Sequence, residues 1–201
     1  MSSENKGYLY ILDDDASFRD SLRHAFVSLG YQVWVFGSAQ ELLQFSNICW
    51  PAVLITDVRM PGKSGVELQQ DLIEANLGIP LIFMSGESTV QEAILGMRQG
   101  AIDFLEKPFA VEALLVSVER ALELQRVNLA KTYRESVRTE RLKRLAPRER
   151  EACQLMTQGY ANPRIAIEMG LSLDTVKQYK KNVYTKLGIG DLAALIAFMQ
   201  D

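Results

Sequence analysis

The chain is poor in the side chains that build metal cages and disulfide frameworks: one histidine and two cysteines in 201 residues. Cys49 and Cys153 lie far apart and lack metal-ligand spacing, so a zinc site and a disulfide-stapled fold are both excluded as organising principles. Both are expected as buried free thiols. The lone His24 falls on a helix-like segment, where it is expected to be exposed with no ligand or phosphohistidine role. Long apolar runs are missing too; none approaches the roughly 18–20 residues that span a bilayer. The opening Met1-Ser2-Ser3-Glu4-Asn5-Lys6 has no signal-peptide apolar stretch. These absences point to a cytoplasmic location with no membrane partner. The 48% hydrophobic content still allows a sizeable core.

Positive charge is scarce in one part of the chain and concentrated in the other. Residues 1–125 hold 17 acidic and 8 basic residues, a net of −9, whereas residues 126–201 hold 8 and 14, a net of +6. An acidic half joined to a basic half suggests a metal or regulatory site in the first and a polyanion-binding surface in the second.

The acidic half alternates strand-like and helix-like segments. Tyr8–Leu12 is a short apolar run. Phe18, Leu22, Ala25, Phe26 and Leu29 then recur at helical spacing, and Gly30 can end that helix in the left-handed region. Val33–Phe36, Val53–Ile55, Leu81–Met84 and Phe104–Leu105 read as further strands. Helices are expected near Ala39–Phe45, Val66–Ala75 and Thr89–Gln99. Apolar strands separated by amphipathic helices predict an α/β domain: a five-stranded, doubly wound parallel sheet covered on both faces. From Val111 one helical pattern leaves this domain and runs into a charged linker, with Leu115, Leu122 and Leu129 seven residues apart. The two heptads leave both a solvated helix and a short coiled coil open. The basic half shows no strand pattern and reads as four short helices, near Pro147–Gln158, Pro163–Met169, Leu173–Leu187 and Asp191–Met199. Gly159, Gly170 and Gly188 mark the breaks.

Polar residues collect at the strand ends, where doubly wound sheets build their sites. Asp13, Asp14 and Asp15 follow the first strand, Asp57 ends the third, Ser85 the fourth and Lys107 the fifth. Two or three carboxylates, a hydroxyl and an ammonium would then converge. Aspartyl phosphorylation needs that set. A carboxylate attacking phosphorus must have its repulsion offset by a divalent cation, and the phosphoryl oxygens need donors.

This constellation resembles the receiver domains of two-component response regulators over about residues 7–124. The resemblance implies a flavodoxin-like fold, Asp57 as phosphoacceptor, and Mg²⁺ or another small divalent cation held by Asp13, Asp14, Asp57 and the Arg59 backbone carbonyl. It also implies Ser85 and Lys107 as phosphate partners and Phe104 as a switch aromatic. Gly86 would leave the pocket open.

The second half resembles the LuxR-type helix-turn-helix of the NarL/FixJ class over about Leu145–Phe198. It does so through Leu145-Ala146-Pro147-Arg148-Glu149-Arg150-Glu151, Gly159, Asn162, Ile165-Ala166, Leu171-Ser172, Thr175-Val176-Lys177 and Lys186-Leu187. Asn162 before Pro163 looks like a helix start, Ser172 can cap the next helix, and Val176, Tyr179, Val183 and Leu187 should face the core. That turns a cationic face outward, as a recognition helix requires. Matching family positions assign Lys177, Gln178 and Lys181 to bases, and Thr175, Lys180 and Asn182 are expected on phosphates. Ala146 stands where a Ser or Thr cap is usual, so that helix end is expected to fray. Pro163-Arg164 stands for a Lys-Glu pair, and Tyr179 for a common histidine.

The expected organisation is a receiver over residues 1–124, a helical linker over 125–143 and a DNA-binding helix-turn-helix domain over 144–201. The expected activity is that of a transcription regulator rather than an enzyme. Its partners would be DNA, a cognate sensor histidine kinase, a second copy of itself on phosphorylation and RNA polymerase. Two other readings stand beside it. One is a haloacid-dehalogenase-type hydrolase using Asp57, which would need an acid where Arg59 stands. The other is a DNA-binding regulator independent of phosphorylation.

Overall fold

A computed structural model of the chain describes residues 5–86 and 90–200. Thr89, the expected start of one helix, lies outside the described residues, as does the Met1–Glu4 part of the polar N-terminus. The chain divides into two compact units, Met1–Asn128 and Leu129–Asp201.

The first unit holds five strands: β1 (Tyr8–Leu12), β2 (Gln32–Phe36), β3 (Ala52–Asp57), β4 (Leu81–Ser85) and β5 (Asp103–Glu106). All neighbours pair in parallel, in the order β2-β1-β3-β4-β5. Four helices intervene: α1 (Ala16–Ser28), α2 (Ala39–Gln44), α3 (Gly65–Glu74) and α4 (Val90–Arg98). Because side chains alternate along a strand, each strand feeds two cores. Tyr10, Leu12, Leu54 and Phe83 pack with α2 and α3 residues such as Leu42, Leu68 and Leu72. Leu9, Ile11, Val53, Ile55, Ile82 and Met84 pack on the other face with Leu22 and Phe26 of α1 and with Leu114, Val118 and Leu122. Burial on both faces is why the strands read as near-continuous apolar runs. The fully buried Tyr10 is tolerated because its hydroxyl accepts the Cys49 backbone N–H at 2.8 Å.

The helix α5 (Val111–Lys143) is unbroken over 33 residues. Its early turns are core: Leu122 is buried and Leu115 packs partly buried beside it, whereas Leu129 is exposed. The seven-residue leucine spacing therefore does not mark a uniform seam; its first two members are taken up by the sheet. The buried Gln125 ties this helix to the sheet. Its side-chain oxygen accepts from Ala52 N–H, and its amide donates to the Gly78 carbonyl at 3.1 Å.

The second unit contains α6 (Pro147–Thr157), α7 (Asn162–Met169), α8 (Leu173–Leu187) and α9 (Leu192–Gln200) around Ala152, Cys153, Met156, Ile165, Val176, Val183, Leu187 and Leu195. Gly170 and Gly188 end α7 and α8 at φ of 65° and 66°, a region closed to most residues.

Three local expectations need correcting. Cys153 is buried, and burial pushes its thiol pKa up, but Cys49 is only half-buried, so the two thiols are not equivalent. α7 starts at Asn162, one residue before the expected Pro163; Ala161 holds the cap position, and Pro163 falls in the first turn, where a missing N–H costs nothing. The first turn of α6 is held rather than left open. Ala146 offers no side-chain cap, but Glu149 reaches back to accept its N–H at 2.8 Å.

Candidate functional site

The carboxyl ends of β1, β3, β4 and β5 bring the predicted groups to one edge of the sheet. Asp13 is 1% exposed and Asp57 8%. Between their carboxylates sits the Lys107 ammonium, donating to Asp13 Oδ2 at 2.5 Å and to Asp57 Oδ2 at 2.6 Å. Each carboxylate is further fixed by its own chain. Asp13 Oδ1 accepts Asp15 N–H at 2.9 Å, and Asp57 Oδ1 accepts Arg59 N–H at 2.9 Å, an Asx turn that orients the acid at the end of β3. Lys107 N–H donates to the Ser85 carbonyl at 2.8 Å, which ties the ends of β4 and β5 together.

Burial shapes the charges. Desolvation raises the Asp13 carboxyl pKa, the nearby Asp57 charge adds to the rise, and the bonds to Lys107 and Asp15 only partly offset it. For Lys107, burial disfavours the ammonium, but the two carboxylates outweigh it and the pKa is raised. One ammonium between two acids, with a third acid, Asp14, exposed nearby in sequence, leaves the cluster net negative. Hard oxygen donors with excess negative charge suit a small divalent cation that keeps its own waters. No group of three or more His, Cys, Asp or Glu side chains is gathered as a ready metal cage among the described residues. Ser85 is 1% exposed, and among the described residues its Oγ has no hydrogen-bond partner. A buried, unsatisfied hydroxyl costs free energy and invites an acceptor such as a phosphoryl oxygen.

Phe104 is half-buried on β5, with its ring 6.3 Å from that of Phe83. Arg59 pairs its guanidinium with Glu92 at 3.2 Å; the residue two after Asp57 is thus a cation and not the acid that a dehalogenase-type hydrolase would require. His24 is exposed, with Nδ1 2.7 Å from the Asp20 carbonyl.

Several contributors lie outside the strand-end pattern. Gly65 opens α3 so close to β3 that a Cβ there would overlap the Asp57 carbonyl oxygen. Ser64 and Glu67 form a reciprocal capping box at the same place, and their serine-to-glutamate spacing could have been recognised. Arg19 donates to the Asp13 carbonyl. Phe18 lies against Lys107.

In the second unit, Ser172 caps α8 by accepting Thr175 N–H at 3.2 Å. Val176, Val183 and Leu187 are buried and Tyr179 half-buried, so one face of α8 belongs to the core. Lys177, Gln178 and Lys181 are exposed, while Thr175, Lys180 and Asn182 are half-buried. Lys177 pairs with Asp174 at 3.0 Å, Gln178 donates to Asn182 at 2.9 Å, and Lys180 lies 5.7 Å from the Tyr184 ring centre. The partly buried Glu149–Lys186 pair, at 2.6 Å, links α6 to α8. Burial opposes the Glu149 charge, but Lys186, the Ala146 N–H and Asn182 more than compensate, and its pKa is lowered.

A sheet-edge acid pair bridged by lysine, followed by a capped cationic helix after a glycine turn, is an arrangement with known relatives. Residues 9–119 match the response regulator receiver domain, and residues 143–199 match the bacterial regulatory proteins of the luxR family. The chain is a response regulator of the NarL/FixJ class. Nodulation protein W of Bradyrhizobium diazoefficiens is 37% identical, with 96% of this chain and 86% of that protein covered. Transcriptional regulatory protein FixJ of the same species is 36% identical, with 95% and 93% covered. Among solved structures, response regulator StyR aligns with a TM-score of 0.88 at 34% identity, covering 96% of this chain and 98% of that one. Full-length FixJ from B. japonicum aligns at 0.58 and 34% identity, covering 98% and 97%. The response regulator described here is thus a DNA-binding protein of a two-component system, like relatives named as transcriptional regulators. Among its described residues no helix is long and apolar enough to cross a membrane.

Proposed function

We propose that Asp57 accepts a phosphoryl group from a sensor histidine kinase and that the phosphorylated chain acts as a dimer on paired DNA half-sites. The observation that carries this reading is the Lys107 ammonium held between Asp13 and Asp57, with the Ser85 hydroxyl buried and, among the described residues, unpartnered at the adjacent strand end. In the transfer, an Asp57 carboxylate oxygen forms a bond to phosphorus as the phosphorus–nitrogen bond of a phosphohistidine breaks. The imidazole leaves with the electron pair and takes up a proton. Lys107 and Ser85 donate to the phosphoryl oxygens. Asp13, Asp14, Asp57 and the Arg59 carbonyl would hold Mg²⁺, which supplies positive charge against the repulsion between carboxylates and phosphate. Phe104 follows Ser85 as the hydroxyl turns toward the phosphate.

The working divisions are a receiver over 1–124, a helical linker over 125–143 and a DNA-binding domain over 144–201. Lys177, Gln178 and Lys181 read bases; Thr175, Lys180 and Asn182 anchor phosphates. A dimer gains affinity for two half-sites through effective concentration, and RNA polymerase is the further partner on a promoter. The test is intact mass after incubation with Mg²⁺ and a small phosphodonor. The chain should gain a single phosphate, and Asp57→Asn should gain none. Asp14→Ala should lose labelling although Asp57 remains. Undiminished labelling of Asp57→Asn defeats the assignment.

A further inference from the structure

We infer that Phe18 is a positioning residue for Lys107, its ring acting as a third holder of the ammonium beside the two carboxylates. This rests on Asp57 being the phosphoacceptor. The Lys107 Nζ lies 4.2 Å from the Phe18 ring centre, well within the ~6 Å over which a ring face attracts a cation. Helical spacing makes Phe18 an ordinary core residue with Leu22 and Phe26, yet it is only half-buried while those two are buried. Its place is set on two sides. Asp15 caps α1 by accepting the Phe18 N–H at 3.2 Å, and Phe109, two residues beyond Lys107, packs edge-on against the ring at 6.0 Å and 83°.

The ring offers what a carboxylate does not. Lys107 must keep its place while its partners change from carboxylate oxygens to phosphoryl oxygens. Attraction to a ring face does not depend on which oxygen the ammonium is bonded to. With the lysine side chain 20% exposed, the cation is partly desolvated, and the interaction is worth more than at an open surface. An aliphatic side chain would fill the space but supply no negative face.

The test uses the full chain with Mg²⁺ and phosphoramidate, following Asp57 labelling by mass. Phenylalanine fluorinated at ring positions 3, 4 and 5, placed at residue 18, keeps the ring's shape but drains its face. Labelling should slow about fivefold, close to 1 kcal/mol at ~1.4 kcal/mol per decade. A singly fluorinated ring should fall between, Phe18→Leu should match the trifluorinated ring, and Phe18→Trp should label at least as fast as the unmodified chain. Independently of labelling, the Lys107 ε-methylene protons should be shifted upfield by the ring. The signal is assigned by its loss in Lys107→Arg, and the upfield shift should vanish in Phe18→Leu. Wild-type labelling by the trifluorinated chain, or no upfield shift, overturns the inference. If the unmodified chain takes no phosphate at Asp57, the phosphoacceptor reading fails instead, and the ring shift alone decides the Phe18–Lys107 contact.

Discussion

Replacing Glu149 with alanine should loosen α6 from α8 while leaving the first unit intact. Glu149 is 4% exposed, and its carboxylate does two jobs with one oxygen: it accepts the Ala146 N–H at 2.8 Å and the Lys186 ammonium at 2.6 Å. Losing the first is like losing a helix cap, about 1 kcal/mol. Losing the second removes a charge-assisted bond, roughly 1.5–3 kcal/mol. The lower end applies, because the Lys186 side chain is 39% exposed and can rehydrate. The sum is about 2–3 kcal/mol, or on the order of 10–15 °C in Tm for a unit of this size. Glu149→Gln keeps an acceptor for Ala146 and loses only the charge, so it should cost about half. The pH dependence has a definite sign. A carboxyl whose folded-state pKa is lowered contributes stability above its unfolded value of about 4.3 and loses it as pH falls through the lower folded value. Protection of α6 and α8 should therefore be flat from neutral pH to about 5 and fall below about 4, and Glu149→Ala should lack that acid step. Hydrogen exchange of peptides from α6 and α8 in the full chain reads the effect. The two tryptophans, Trp34 and Trp50, both lie in the first unit, so their fluorescence serves as the control. Unchanged protection in Glu149→Ala, or equal losses in the alanine and glutamine variants, would mean that the carboxylate does not hold α6 to α8.

Gly65→Ala should push the start of α3 away from the Asp57 carbonyl and slow phosphodonor labelling at least tenfold, that is by ~1.4 kcal/mol or more; a labelling time course checks this. Gln125→Leu strips partners from Ala52 N–H and the Gly78 carbonyl. It should lower the urea midpoint read by tryptophan fluorescence by the equivalent of roughly 2–4 kcal/mol, without changing the slope. Gln178→Ala should relax preference at a single base position per half-site by about 1–3 kcal/mol, measured against a panel of substituted duplexes. Lys180→Ala should instead weaken specific and scrambled DNA alike and reduce the salt slope of log affinity by about one unit; a loss of specificity with an unchanged slope would mean that α8 lies in the groove at another rotation.

The alternation of apolar strands and amphipathic helices was legible because burial on two faces leaves a run of Val, Ile and Leu that needs no partner to be recognised. Asp13, Asp57, Ser85 and Lys107 were legible for a topological reason: parallel strands put all their carboxyl ends on one edge, so residues 94 apart along the chain meet there. Helix ends were read where the signal is local, as with Ser172 and Gly170, and misread where the acceptor comes from within the first turn, as with Glu149 for Ala146.

What composition and spacing determine, then, is each element's type and which side chains are carried to the sheet edge, because both follow from periodicity along one chain. Tertiary packing alone decided the rest. The helical period assigns Phe18 to a buried face but does not say that a lysine 89 positions away ends 4.2 Å above its ring. A glycine at position 65 has no pattern; its need arises only when α3 is laid against the Asp57 carbonyl. The same holds for Gln125, polar by sequence yet 2% exposed, because the oxygen and nitrogen of its side-chain amide satisfy backbone atoms that only folding brings beside it. Such close approaches depend on distances between elements, and those are set when the cores close rather than by any residue's own neighbours in the chain.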